Sequence, residues 1–411
     1  MSAPVLRLGI STCPNDTFLF HGLLSGEVEV EGHRLEIELL DVQELNQRLL
    51  DPGPAPAFDV AKASYHLALR MADELLALPT GSALGFGNGP LLLARAGLEP
   101  PTPTPSSRVL CPGEHTTAAL LYRLFFPEAA AAEHVIFSEV MPALEQGRAD
   151  LGVCIHEGRF TYAESGLGLV EDLGARWESD TGAPLPLGGI FARRSLPQDT
   201  VEAVQDALRR SLALARANPE AALHSMRQYA QEFSDEVLWS HVDLYVNDWT
   251  RDLGAQGRRA IETLAERAAH TGLVAPGTRL EVYEPLGERR LFHLVPNADA
   301  ESLATEGHLP VPSLDSEGFI HLSFSDQLAG TLQAHFDGVQ RVALLELDRD
   351  SLAGAVRFET SRGGARFPHL FRPLDLDQDV SARWTLEREG ESFRVPEASQ
   401  GRRASGPRDG S

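Results

Sequence analysis

Along residues 1–285, short apolar runs end in polar turns and give way to stretches of helical period. Runs of this length predict the buried strands of a sheet, and the amphipathic stretches between them predict its covering helices. Strands are predicted over 5–11, 34–40 and 57–62, with helices over 17–24, 42–50 and from Ser64 to Met71. Pro14-Asn15-Asp16 reads as the turn and cap that start the first helix, and Ser64 as the cap of the third. Residues 75–78 and 90–94 read as further strands on either side of the glycine-rich TGSALGFGNG. Those glycines lead into a strand and no GK[ST] follows, so they predict a hinge or tight crossover, not a phosphate loop.

The alternation restarts after the proline-rich segment 97–107. Strands over 108–111, 135–137 and 151–155 alternate with helices over 116–126 and 141–146, and 187–192 reads as a strand returning to the first set. Four amphipathic helices follow, over 200–217, 220–231, 234–246 and 254–270. One βα set with a second inserted in it is the plan of a two-lobed α/β protein. The first lobe is expected at about 1–96 and 187–285, the second at about 97–186, with a ligand cleft between them that closes by hinge motion. Residues 272–290 read as a linker, and 291–395 as a separate, strand-rich α+β domain with one helix near 326–335. From residue 396 almost nothing is apolar, so 396–411 is expected to be a disordered tail.

A content of 43% hydrophobic and 23% charged residues is ordinary for a soluble protein, and no apolar run approaches the roughly 18 residues of a membrane span. The opening MSAPVLRLGIS lacks the basic region and apolar core of a signal peptide, so a cytoplasmic protein is expected. A net charge of −23 argues against nucleic acid and anionic membrane as partners. Cys13, Cys111 and Cys154 form no CxxC pair, which fits a reducing compartment. Each ends a predicted strand, so they are expected near one another around the cleft, as small buried thiols rather than as a metal site with His156. Lys62 is the only lysine among 36 basic side chains. Where arginine has replaced lysine everywhere else, the survivor is expected to do what a planar guanidinium cannot, such as a compact contact to a substrate oxygen.

The densest chemistry lies in residues 151–162, LGVCIHEGRFTY. His156 follows the predicted strand at its carboxyl end, where open α/β sheets bind their ligands. A histidine there titrates near neutral pH, and Glu157 or a backbone carbonyl would fix its tautomer. The alternative is a structural histidine capping a strand end. Asn15-Asp16, Lys62-Ser64 and Thr116-Thr117 share one pattern, a strand end followed by a helix start, whose N–H groups suit a carboxylate or hydroxyl.

With TCPNDTF, DVAKASY, PGEHTTA, IHEGRFTY and PLPLGGIFARR in that order, residues 4–285 resemble the 1,4-dihydroxy-6-naphthoate synthase family of the futalosine route to menaquinone. The resemblance implies the type II periplasmic-binding-protein fold. It implies conversion of cyclic dehypoxanthinylfutalosine to 1,4-dihydroxy-6-naphthoate with release of a sugar-derived fragment and without a redox cofactor; no metal is expected. It makes His156 the general base and Lys62, Ala63, Ser64, Thr116 and Thr117 substrate-binding, with Asn15, Asp16, Glu157 and Arg159 in support. Ala63 stands where relatives often carry Leu. A solute-binding protein for small carboxylates and a chorismate dehydratase, both of the same fold, are the alternatives. The C-terminal domain resembles a small bacterial family of unknown function through FHLVP, GFIHLS and FPHLFRPL. Its His293, His321 and His369 are expected at the edge of the core. Gathered in one pocket with Ser323 and Arg372, they would instead suit a nucleotide-like ligand.

Overall fold

The computed structural model describes residues 3–396 apart from 52, 54–55, 98–100, 157, 230–233, 288, 299, 304–307, 362–364 and 391, and also describes residue 399. The chain divides into two compact units, Met1–Tyr283 and Glu284–Ser411.

The first unit holds two mixed sheets. One joins β1 (Val5–Ser11), β2 (Arg34–Leu40), β3 (Val60–Ser64), β4 (Leu75–Ala77), β5 (Ala83–Gly85) and β11 (Leu185–Arg193), in the order β2-β1-β3-β11-β4 with β5 also on β11. The other joins β6 (Leu91–Arg95), β7 (Val109–Cys111), β8 (Glu133–His134), β9 (Leu151–Cys154) and β10 (Leu167–Asp172), in the order β10-β6-β9-β7-β8. The inserted second lobe is therefore present, but it begins earlier than 97. Leu91, Leu92 and Leu93 pair with Cys154, Val153 and Gly152, so the strand at 91–95 belongs to the second sheet and the chain crosses over at 86–90. An all-apolar run has no periodicity to say which sheet it joins. One apolar cluster takes side chains from both sheets, among them Ala61 and Phe191 from the first and Leu92, Leu151 and Val153 from the second.

Several elements differ from expectation for local reasons. The first helix is two short ones, Pro14–Leu19 and His21–Ser25, interrupted at Phe20. The expected strand at 135–137 is displaced: β8 ends at His134, residues 135–136 connect, and a helix over Phe137–Glu145 begins at the last residue of the apolar run. Ser64 sits at the start of helix Tyr65–Arg70 without a side-chain cap; Asn46 holds it instead.

The expected linker at 272–290 is largely absorbed into structure. Leu280, Val282 and Tyr283 are buried, and residues 281–283 hydrogen-bond Ala77 of β4, from Ala77 N–H to the Glu281 carbonyl and from Tyr283 N–H to the Ala77 carbonyl. A parallel bridge between Ala77 and Val282 adds this segment to the edge of the sheet.

The second unit is α+β. Its main sheet is antiparallel around Leu291–Pro296, Arg341–Leu347 and Val380–Glu389; a smaller sheet joins Ile320–His321, Arg366–Leu370 and Val356–Thr360. In place of the one expected helix it has three among the described residues: short ones over Ala300–Leu303 and Pro312–Glu317, and the longest over Leu328–His335 after a turn of 3-10 helix at Ser325–Gln327. The expected tail lies outside the described residues, except 396 and 399. No helix among the described residues is long and apolar enough to cross a membrane.

Candidate active site

The polar turn after β1 runs straight into helix Pro14–Leu19, whose first turn carries Asp16. Asp16 is buried, and its carboxylate accepts three hydrogen bonds. Lys62 Nζ donates to Oδ1 at 2.6 Å, Asn15 Nδ2 donates to the same oxygen at 2.9 Å, and Ser11 Oγ donates to Oδ2 at 2.5 Å. Lys62 reaches it from β3, the strand beside β1, which buries the ammonium to 5% exposure. The lone lysine is thus half of a buried ion pair rather than an isolated cation. Two residues on, Ser64 is locked by a reciprocal pair of bonds with Asn46, each at 3.1 Å.

Gly188 of β11 faces Ser64 across the strand pair. A Cβ added to Gly188 would lie 2.9 Å from the Ala63 carbonyl oxygen and 3.2 Å from Lys62 Cε, so only glycine lets β11 approach. Ala63 itself is buried between strands and does not line the pocket; its carbonyl sets that approach.

From the second lobe, Thr116 caps helix Thr117–Phe125. Its Oγ1 accepts from Ala119 N–H at 3.2 Å and donates to the Gly113 carbonyl at 2.9 Å. Thr117 Oγ1 donates to the Leu187 carbonyl of β11 at 2.7 Å. His66 Nδ1 donates to the Thr116 carbonyl at 3.2 Å, and burial lowers the His66 pKa to about 4. The helix start is therefore tied to the first lobe at two points.

His156 follows β9 with φ of 57°, in the left-handed region that side-chain-bearing residues avoid. Holding a β-carbon there costs about 1–2 kcal/mol, and such strain concentrates at functional sites. The half-buried ring has Cys13 Sγ 3.5 Å from Nδ1, the edge-on ring of Phe137 at 5.0 Å and the near-parallel ring of His241 at 6.2 Å. Glu157 lies outside the described residues.

One pocket takes in Asn15, Asp16, Lys62, Ser64, Thr116, Thr117 and His156, together with Cys13, Leu187, Gly188, His241 and Tyr245. It encloses about 640 Å³ of empty space, part of it open to solvent. The seven residues expected in the site that line it come from both lobes. Arg159 does not line it. Its guanidinium donates to the Gly89 carbonyl at 2.6 Å and to Asp172 at 2.8 Å, which fixes the Gly89–Pro90 wall from behind. Of the cysteines only Cys13 faces the pocket; Cys111 and Cys154 are buried in apolar clusters, and burial raises the Cys111 thiol pKa. Among the described residues no group of three or more His, Cys, Asp or Glu is placed to hold a metal ion.

Sequence reasoning passed over His241 and Tyr245. They lie with Leu238 and Val242 on the buried stripe of helix Asp235–Tyr245, at spacings of three and four. A histidine inside such a stripe was the available signal. Burial, then positive charge on His156 and Lys62, lowers the His241 pKa well below the usual histidine value.

In the second unit His293, His321, His369 and Ser323 do come together, with Thr331 and His335, around a pocket of about 1300 Å³ of empty space, part of it open to solvent. His293 and His369 are buried and His321 is exposed, so the three sit where the core meets the pocket. Arg372 is elsewhere, in a double hydrogen bond to Asp379. His369 Nδ1 pairs with Glu359 at 2.7 Å, and His293 Nδ1 donates to the His321 carbonyl at 3.0 Å.

Comparison with known proteins shows the family and the fold. A 1,4-dihydroxy-6-naphthoate synthase of Thermus thermophilus is 46% identical over 274 residues, 67% of this chain and 97% of the relative. Its counterpart from Streptomyces coelicolor is 40% identical over 279 residues, 67% of this chain and 96% of the relative. A crystal structure from Archaeoglobus fulgidus superposes with a TM-score of 0.61 at 28% identity, over 66% of this chain and 98% of that one. The ligand-binding component of an ABC-type import system from Staphylococcus aureus superposes with a TM-score of 0.51 at 12% identity, over 69% and 97%, and shares the two-lobed binding-protein fold. Residues 294–382 match a family described as a protein of unknown function. Residues 6–270 match the family described as menaquinone biosynthesis, and to that family this chain belongs.

Proposed function

We propose that residues 1–283 convert cyclic dehypoxanthinylfutalosine to 1,4-dihydroxy-6-naphthoate, as a carbon–carbon lyase with His156 as general base. The observation that carries this reading is one pocket into which both lobes send the polar groups such a cleavage needs. Breaking a carbon skeleton beside a ketone starts with proton removal, for which a partly exposed imidazole is suited at neutral pH. The enolate that results requires donors, and the substrate carboxylate requires a cation or N–H groups. Lys62, Ser64 and the start of helix Thr117–Phe125 supply them. Because Lys62 is paired with Asp16, it offers its remaining N–H bonds without burying an unbalanced charge. A product that is already aromatic makes the elimination favourable. Three cysteines that form no disulfide and a strongly acidic chain fit a cytoplasmic enzyme acting on a small molecule.

The test is to incubate the purified chain with cyclic dehypoxanthinylfutalosine and follow the dihydroxynaphthoate. His156→Gln should lower turnover by roughly 10²–10⁴-fold with a much smaller change in KM. Turnover within about threefold of wild type would remove His156 from the role of base.

A further inference from the structure

His241 is 1% exposed, and neither of its ring nitrogens has a hydrogen-bond partner. Its neighbours are rings, Tyr245 at 4.5 Å and His156 at 6.2 Å between centroids. Burying a polar group unpaired costs about 1–3 kcal/mol, and this imidazole buries two. A phenyl ring in the same place would keep the stacking and avoid that cost. The residue nevertheless lines the pocket beside His156 and Lys62, so the partner its nitrogens lack is whatever fills the pocket.

The charge state narrows the role. With its pKa held far down by burial and by His156 and Lys62, the ring is neutral at pH 7 and has one N–H to donate and one lone pair. A neutral donor adds no positive charge to oppose proton uptake by His156.

We propose that His241 donates a hydrogen bond to the substrate carbonyl oxygen next to the carbon from which His156 removes a proton, a role that rests on His156 being the base. In that step the C–H bond breaks and its proton forms an N–H bond on His156. The C–H electron pair becomes the carbon–carbon double bond of the enolate, and the carbonyl π pair moves to oxygen. Nothing is oxidised or reduced. Charge gathers on that oxygen only as the proton leaves, so a fixed donor there binds the transition state more tightly than the ground state. Neutral imidazole serves as the electrophile for enolisation elsewhere for the same reason. The ligand class is a ketone bearing an acidic α-hydrogen.

Steady-state kinetics on the full chain with cyclic dehypoxanthinylfutalosine, with thermal melts alongside, tests this on His241→Phe, His241→Asn, His241→Gln and His156→Gln. His241→Phe should lose roughly 10²–10³-fold in kcat while KM moves by less than about fivefold. It should melt no lower than wild type, since two unpaired polar atoms are gone. One of the two amide variants, whose NH₂ falls near one ring nitrogen, should regain at least about tenfold of the lost kcat. The acidic limb of the kcat/KM profile should survive in His241→Phe and vanish in His156→Gln. If His241→Phe turns over within about threefold of wild type while His156→Gln is crippled, His241 is no donor and the base assignment stands. A His241→Phe protein that melts far below wild type and is rescued by neither amide overturns the proposal too, because the ring is then packing. Retained turnover in His156→Gln overturns the base and this role with it.

Discussion

At the scale of single residues, the Lys62–Asp16 pair changes what a substitution at Lys62 means. An exposed cleft cation would be removable at little cost to folding, but both partners here are buried and Asp16 accepts three hydrogen bonds. Breaking such a pair from one side leaves a stranded charge, which costs about 3–5 kcal/mol. Asp16→Leu and Lys62→Met should therefore each melt well below wild type. The double variant should melt above either single one and stay inactive, a pattern that differential scanning calorimetry with kinetics reads directly. Lys62→Arg should lose at least about tenfold in kcat/KM, because the longer planar group cannot occupy the slot beside Gly188. His66 supplies a pH signature. Its folded pKa of about 4 lies below the ordinary 6.5, so the unfolded chain binds the proton first and stability falls as pH drops from 6.5 toward 4. The loss reaches about 3 kcal/mol once both states are protonated. Chemical denaturation at pH 7 and pH 4.5 should show a smaller decrease in His66→Gln than in wild type, and equal decreases would sink the assignment.

At the scale of elements, legibility followed local pattern. β1, β2 and helix Val42–Leu50 were readable to the residue, since their apolar positions repeat cleanly and Asp41 caps the helix through Gln43 N–H. What stayed hidden depended on partners distant in sequence. Nothing local in the run LLLA says that it pairs with Cys154, Val153 and Gly152 rather than with the first sheet. β10 and helix Leu173–Thr181 escaped notice because β10 is a half-exposed edge strand with weak alternation. The site was more legible than the topology, for strand ends followed by helix starts are visible in sequence, and seven of the expected residues meet in one pocket. Its third contributor, helix Asp235–Tyr245, came from the closing helices, where a buried histidine looks like packing. Gly188 is a local requirement at the heart of the site. Gly188→Ala pushes a methyl group against the Ala63 carbonyl and Lys62 Cε, so kcat/KM should drop by at least about tenfold, with the Lys62–Asp16 geometry the first thing to move. Normal kinetics in that variant would mean the strand can slide.

At the scale of the whole molecule, each unit buries its own apolar clusters, those of the first from Leu6 to Tyr283 and those of the second from Leu286 onward. A chain ending at Glu284 should therefore fold and keep full turnover, whereas one ending at residue 275 loses Leu280, Val282 and Tyr283 from the first unit and should be unstable. Loss of activity in the longer truncation would make the fused domain part of the enzyme.

The solitary lysine has one further consequence. A protease that cuts only after lysine has a single target in all 411 residues, the Lys62–Ala63 bond. That bond lies inside β3, which is hydrogen-bonded to β1 on one side and β11 on the other. Scission into residues 1–62 and 63–411 thus requires the central strand to leave its sheet. The rate of that one cut is a built-in clock for opening of the first lobe, and any ligand that fills the cleft should slow it without a label or a mutation.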